Sequence, residues 1–372
     1  MSEFKSPDEL FEQARHAILC QDEPLMALCV PLYYHLRLQK FHLKHDHKKA
    51  IQQKNHFEQT KLTAPPTINK APLFITGKTG SGKTHLIKTL CQMTGVNFLV
   101  INATHMSNSG FKGMTLADIG EMLLSQAKNE RLAQFSVVFF DEFDKLFLEG
   151  TNSVRDWHRA LATELLTIIE GSSDFPVKDD KGIPTHHMMF ILGGSFGMHQ
   201  DNAPIGFTAT PNKTATPMNL VGLSEYGLPD ELSGRIGRII RMNELTDDQL
   251  KDILCKSPTS PFVALQKQLS LEWCQVSMST ELLNELVVRQ KDAIAKFGVR
   301  GLYQGFYELP QVQDVLRYAP DNRYHHYELT VDGYTKTYQP NYRPTPNITI
   351  KVMPTFQPEP EPEHITDDDM PF

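Results

Sequence analysis

Apolar residues recur at helical spacing at the start of the chain. Leu10, Phe11, Ala14, Ala17 and Ile18 are followed by an apolar stretch over residues 25–38, which predicts helix over 8–40. Residues 40–62 are polar and partly basic (Lys40, Lys44, Lys48, Lys49, Lys54) and carry four histidines. They read as a solvated helix end or loop, with metal binding by His42, His45 and His47 as the lesser alternative. Short apolar runs at 72–76, 98–101, 136–140 and 188–192 then predict strands, with helices starting near Lys83, Leu116 and Asp156. Strand–helix alternation of this kind predicts an α/β fold with a largely parallel sheet covered by helices.

The pattern changes after Asn243. Residues 245–254, 262–271 and 280–296 predict helices, with no strand-like run before about residue 325. Alternation at Tyr327, Leu329 and Val331, and again at Ile348, Ile350 and Val352, predicts a short β element. From Pro354 onward Pro, Glu and Asp dominate, as in a disordered tail. Four segments follow: a helical lead-in with a basic linker (1–62), a large α/β unit (63–243), a smaller mainly helical unit with a short β element (244–353), and an acidic tail (354–372).

Composition narrows the class. Apolar residues make up 40 % and charged residues 22 %, as in an ordinary soluble globular protein. No apolar run reaches the length of a membrane span, and the polar, acidic N-terminus is unlike a secretory leader. Cys20, Cys29, Cys91, Cys255 and Cys274 are widely spaced without a CxxC pair, which argues against a disulfide framework and a cysteine-rich zinc site. A cytoplasmic protein is expected. The net charge of −7 belongs to the tail: six carboxylates lie beyond residue 352, leaving 38 against 37 Lys and Arg in the rest. A nearly neutral body gives no electrostatic support to direct nucleic-acid binding.

Gly77-Lys78-Thr79-Gly80-Ser81-Gly82-Lys83-Thr84 fits G-x-x-x-x-G-K-[ST] and sits between a predicted strand and a predicted helix. Glycines let backbone N–H groups turn inward around phosphate oxygens, and the helix N-terminus adds a favourable dipole. Lys83 would reach the β- and γ-phosphates, and Thr84 would offer its hydroxyl to Mg²⁺. The apolar run 137–140 ends in Asp141-Glu142-Phe143-Asp144. A carboxylate at a strand tip facing the phosphate loop can hold the Mg²⁺ shell, and the next can polarise an attacking water. Asp141 is therefore read as the metal residue and Glu142 as the general base of an ATPase.

These motifs, in this order, make the chain resemble the AAA+ ATPases, and within them the ClpX-type protein unfoldases, over roughly residues 15–312. Ile18-Leu19-Cys20-Gln21 resembles the adenine-side segment, with Cys20 where glycine is usual; Leu19 is the residue assigned to the base. FILGGSF (190–196) resembles the sensor-1 strand. YGLPDELSGRIGR (226–238) resembles the arginine-finger segment, implying that role for Arg235 with Arg238 as the alternative. FGVRGL (297–302) resembles the sensor-2 motif and implies that role for Arg300. A finger that reaches a neighbour's nucleotide implies a homohexameric ring.

The resemblance also implies what ATP drives. Gly110-Phe111-Lys112-Gly113 lies where the family grips protein substrates with an aromatic pore loop, although Lys112 and Met114-Thr115 depart from its pattern. Ile205-Gly206-Phe207, in a Pro/Asn/Thr-rich stretch, lies where ClpX-type unfoldases dock on a ClpP-like peptidase. An N-terminal zinc-binding domain is not expected here, the segment 149–156 is short, and 174–187 lacks the basic entry-loop motif. The terminal Asp367-Asp368-Asp369-Met370-Pro371-Phe372 resembles the tip of bacterial single-stranded-DNA-binding proteins, which docks on partner proteins; a merely solubilising tail is the alternative. The leading expectation is an ATP-dependent unfoldase or remodeller. Its rivals are an AAA+ motor or loader of DNA replication or repair recruited through that tip, and a nucleotide-dependent scaffold.

Overall fold

The computed structural model describes residues 4–55, 70–106, 113–127, 129–148, 161, 164–177, 182–195 and 230–343 of the chain. The four predicted strands and a fifth that was not expected form a sheet in the order β2–β3–β4–β1–β5. They are β1 Leu73–Thr76, β2 Phe98–Asn102, β3 Val137–Asp141, β4 Met189–Gly194 and β5 Arg238–Arg241. Every neighbouring pair is parallel. Parallel strands covered by helices on both faces need apolar side chains at consecutive positions, which is why β1 and β4 are buried from end to end. Successive side chains still alternate faces. Phe74, Val138, Phe140 and Leu192 join one core layer, while Ile75, Val137, Phe139 and Ile191 join the other.

The lead-in is two helices, where a single one is predicted. Helix α1 (Pro7–Ala14) starts at Ser6, whose side chain accepts from Glu9 N at 3.1 Å. Helix α2 (Asp22–Asn55) begins after a break in which Cys20 has φ +60°, outside helical space. It then continues through the stretch read as a solvated end or loop. His42, expected in solvent, is buried. The reason lies in residues distant in sequence, because α2 lies across the N-terminal ends of β1, β3 and β4. Lys70 Nζ, just before β1, donates to His35 Nδ1 at 2.7 Å and to the His187 carbonyl at 2.6 Å. The other ring nitrogen of His35 meets the Phe135 carbonyl at 2.8 Å. His187 stacks on Phe135 (centroids 4.9 Å apart) and lies 4.2 Å from the His42 ring. Burial and the neighbouring Lys70 pull His35 down to about 3, and burial pulls Lys70 down to about 7.

Helix α3 (Lys83–Thr94) leads from β1 towards β2, and α4 (Leu116–Gln126) leads from β2 towards β3. A reciprocal capping box between Thr115 and Asp118 starts α4 and satisfies otherwise unpaired N–H groups. The second unit has its own core around Leu302, Phe306, Val315 and Tyr327. Its helices are Asp247–Lys256, Pro261–Leu271, Thr280–Arg289, Lys291–Phe297, Val299–Tyr307 and Pro310–Tyr318. The stretch predicted as one helix over 280–296 is interrupted at Gln290. A strand also occurs where none is expected: β6 (Gln275–Met278) pairs in parallel with β7 (His325–Thr330), which pairs antiparallel with β8 (Gly333–Tyr338). β6 is a half-buried edge strand with little apolar alternation, so its sequence carries a weak signal. Residues 344–372, including the predicted tail, lie outside the described residues. Among the described residues, no helix is long and apolar enough to cross a membrane.

Candidate nucleotide site

β1 stops at Thr76 and α3 starts at Lys83, so the glycine-rich segment 77–82 is the turn between them. Gly80 (φ +76°) and Gly82 (φ +98°) take the left-handed backbone that side chains disfavour. Gly80 is constrained further, because a Cβ there would sit 1.8 Å from the Phe297 carbonyl oxygen. Lys83 is buried, and its Nζ donates to the Gly77 carbonyl at 2.6 Å and the Lys78 carbonyl at 3.2 Å. Burial lowers its pKa, while Asp141, Asp144 and Glu142 push it back up. Ser81 Oγ is buried with no hydrogen-bond partner among the described residues.

The register of β2 on β3 places Asn102 beside Asp141 at the strand tips. Thr84 Oγ1, at the start of α3, donates to Asp141 Oδ2 at 2.5 Å. The other oxygen of Asp141 accepts from Glu142 N at 3.0 Å. Glu142 has φ +55°, a strained turn for a non-glycine residue that swings its side chain off the strand direction. Its Oε2 accepts from Asn102 Nδ2 at 3.3 Å and lies 3.2 Å from Lys145 Nζ. Buried Asp144 accepts from both the backbone and the hydroxyl of Ser195, at 3.0 and 2.9 Å, and ties the end of β4 to the same corner.

These groups open into a cavity of about 380 Å³ between the strand tips and the second unit. Thr79, Gly80, Ser81, Gly82, Lys83 and Thr84 line it with Asp141, Glu142, Leu19 and Arg300. Leu19 belongs to the break between α1 and α2. Gln21 holds that break in place by exchanging two hydrogen bonds with the Asn243 backbone, at 2.8 and 3.1 Å. Arg300, in the helix Val299–Tyr307, is close enough to lower the pKa of Lys83. Directly before that helix, Gly298 (φ +59°) packs against the Gly80 backbone.

The sequence-assigned residues therefore divide into three groups. The loop from Thr79 to Thr84, Leu19, Asp141, Glu142 and Arg300 converge on the cavity. Gly77 and Lys78 belong to the same turn but do not line it; Lys78 pairs with Glu244 at 2.8 Å. Arg235 stands apart in an ion pair with Glu170, and Arg238 lies exposed on β5. Gly113 is described and exposed, whereas Gly110, Phe111, Lys112, Ile205, Gly206, Phe207, Asp367, Asp368, Asp369, Met370, Pro371 and Phe372 lie outside the described residues. Asn102, Asp144, Lys145 and Ser195 complete the corner without having been singled out. Asn102 did carry a signal, since it closes an apolar strand run just as Asp141 does.

The donor chemistry fits a nucleotide with magnesium. Buried Lys83, the orphan Ser81 hydroxyl and the helix N-terminus suit phosphate oxygens. A hydroxyl and a carboxylate in contact are hard oxygen donors of the kind Mg²⁺ takes alongside substrate phosphates. Among the described residues, no group of three or more His, Cys, Asp and Glu is arranged to hold a metal ion, so the metal alternative for His42, His45 and His47 gains nothing.

Residues 73–219 match the family of ATPases associated with various cellular activities (AAA). The chain is 28 % identical over 318 residues to the "ATP-dependent Clp protease ATP-binding subunit ClpX 2" of Wolinella succinogenes, covering 81 % of this chain and 75 % of the relative. It is 28 % identical over 333 residues to the ClpX subunit of Treponema denticola, covering 80 % and 74 %. With the ClpX subunit of Bacteroides fragilis it shares 27 % over 360 residues, covering 89 % and 81 %.

Proposed function

We propose that the chain, which matches the AAA family over residues 73–219 and is similar to ClpX subunits, is an AAA+ ATPase of ClpX type that spends ATP on unfolding or remodelling protein substrates in the cytoplasm. The observation that carries this is the corner itself: Asp141 bonded to Thr84, and Glu142 turned out of the strand beside Asn102 and Lys145. Thr84 and Asp141 would hold Mg²⁺, which supplies charge neutralisation at the phosphates when bound. Lys83 binds the phosphate oxygens. Glu142 orients a water and takes its proton, while Asn102 and Lys145 hold that carboxylate in place.

Arg235 points at no part of its own cavity and is half-exposed. That position suits a cation offered to a neighbour's nucleotide, and so a homohexameric ring. In such a ring, Gly110, Phe111, Lys112 and Gly113 would grip the threaded chain, and Ile205-Gly206-Phe207 would dock a ClpP-like peptidase. The tip from Asp367 to Phe372 would recruit a partner protein by its acidic run and terminal Phe.

Glu142→Gln tests the core of this reading. Removing a general base slows turnover by about 10²- to 10⁴-fold, and the variant should still bind ATP, assemble, and retain protein substrates. Turnover like that of the wild type would overturn the assignment of Glu142. An ATPase stimulated by single-stranded DNA and not by an unfolded protein would overturn the choice of substrate class.

A further inference from the structure

The chamber beyond the phosphate loop contains polar side chains to which the phosphate chemistry gives no role. The helix Val299–Tyr307 presents Arg300 and, one turn later, Tyr303 to the cavity. Ser257 and Thr259 lie beside the Tyr303 phenol and draw its pKa down against the larger rise that burial imposes. Ser257 Oγ and Thr259 Oγ1 are 3.2 Å apart, and Ser257 is only 4 % exposed. All three residues line the cavity, next to apolar Ile18, Leu19 and Ile253. Gln21, another polar side chain at this end, already spends both halves of its amide on the Asn243 backbone.

With the triphosphate on the loop, the rest of the nucleotide extends into this chamber. A base edge displays fixed donors and acceptors, which are best met by groups of fixed direction such as the backbone at Ile18 and Leu19. A side-chain hydroxyl can rotate to donate or accept, and so suits another hydroxyl. We propose that Ser257, Thr259 and Tyr303 hold the ribose hydroxyls of the bound nucleotide and make the site select ribonucleotides over deoxyribonucleotides. This rests on the reading of the cavity as a nucleotide site. A hydroxyl can donate once and accept twice, so beyond the Ser257–Thr259 bond the cluster keeps capacity for a ligand hydroxyl. An analogue that leaves this capacity unmet binds more weakly, which is how sites built on hydrogen bonds reject analogues. Because Tyr303 and Arg300 share one helix face, sugar and phosphate contacts come from the same helix.

Calorimetry on the full-length protein with ADP, 2′-deoxyADP and 3′-deoxyADP is the test. At least one deoxy analogue should bind about two- to tenfold more weakly than ADP, the size of one neutral hydrogen bond. A Tyr303→Phe, Ser257→Ala double variant should bind all three alike. Thr259→Val, at an exposed position, should narrow the same difference even if the double variant does not fold. Equal affinities for the three ligands in the wild type, or a difference that survives in every folded variant, would overturn the proposal alone. If the wild type binds no ADP, the nucleotide-site reading falls as well.

Discussion

Gly298→Ala would isolate the contact that the second unit makes with the phosphate loop. Gly298 has φ +59° and ψ −139°, a region that is almost closed to residues with a side chain. An added Cβ would lie 2.7 Å from the Gly80 carbonyl oxygen, 2.8 Å from its carbonyl carbon and 3.1 Å from its Cα. All three are backbone atoms of the phosphate loop, so no side chain can swing away; either the loop or the helix bearing Arg300 must move. Holding alanine in such a conformation costs about 1–3 kcal/mol. The second unit keeps its own core, so the molecule can relieve that strain by letting this unit and the loop separate. The cost should then appear in nucleotide affinity, as about 5- to 150-fold weaker ADP binding, with little change in melting temperature. Calorimetry and a thermal melt measure the two quantities. Gly333→Ala is the control: its φ is +143° but nothing lies within 4 Å of the added Cβ, so it should lower stability without touching affinity. ADP binding by Gly298→Ala within about twofold of wild type would refute the coupling.

Other outcomes follow from the same geometry. Asn102→Ala removes one hydrogen bond to Glu142 and should lower kcat by about two- to tenfold with ADP affinity unchanged; an unaltered kcat would show that Lys145 alone suffices. Arg235→Ala breaks a half-exposed ion pair worth under about 1 kcal/mol. If Arg235 completes a neighbour's site, turnover should nonetheless fall by about 10³-fold or more; lost stability with intact turnover would make it an ordinary surface pair. His35 titrates near 3 in the folded chain against an ordinary 6.5. The folded state thus binds fewer protons than the unfolded one across that window, and stability drops as pH falls through it. The loss is on the order of 4–5 kcal/mol at about 1.36 kcal/mol per pH unit. A His35→Gln variant should flatten the decline of melting temperature below pH 6.5, and an equally steep decline would refute the role of His35.

What the sequence made legible was local or continuous. The phosphate loop is one unbroken motif, and the doubly covered strands are short unbroken apolar runs such as 137–140. The contacts that assemble the corner were harder to see because they join distant residues. Nothing near Gly298 in sequence reveals that it faces Gly80, and nothing near His35 announces Lys70 and Phe135. Cys20 breaks the lead-in by adopting a positive φ that its residue type does not advertise. β6 and β5 were missed for a different reason. Edge strands bury less, so Gln275–Met278 and Arg238–Arg241 lack the apolar density that marks the central strands.

A parallel sheet gathers all its strand starts at one pole and all its strand ends at the other, here separated by about 16 Å at roughly 3.3 Å per residue. The pole of the strand ends carries Asp141, Glu142 and Lys83. The opposite pole is closed by Lys70, His187 and Phe135 against His35 and His42 of α2, with the His35 and His187 imidazoles kept neutral by burial. The stability those neutral imidazoles lend is lost progressively as pH falls from the ordinary 6.5 towards 3, so an acidic limb of activity has to be compared with the melting temperature over the same range before any of it is assigned to the opposite end of the strands.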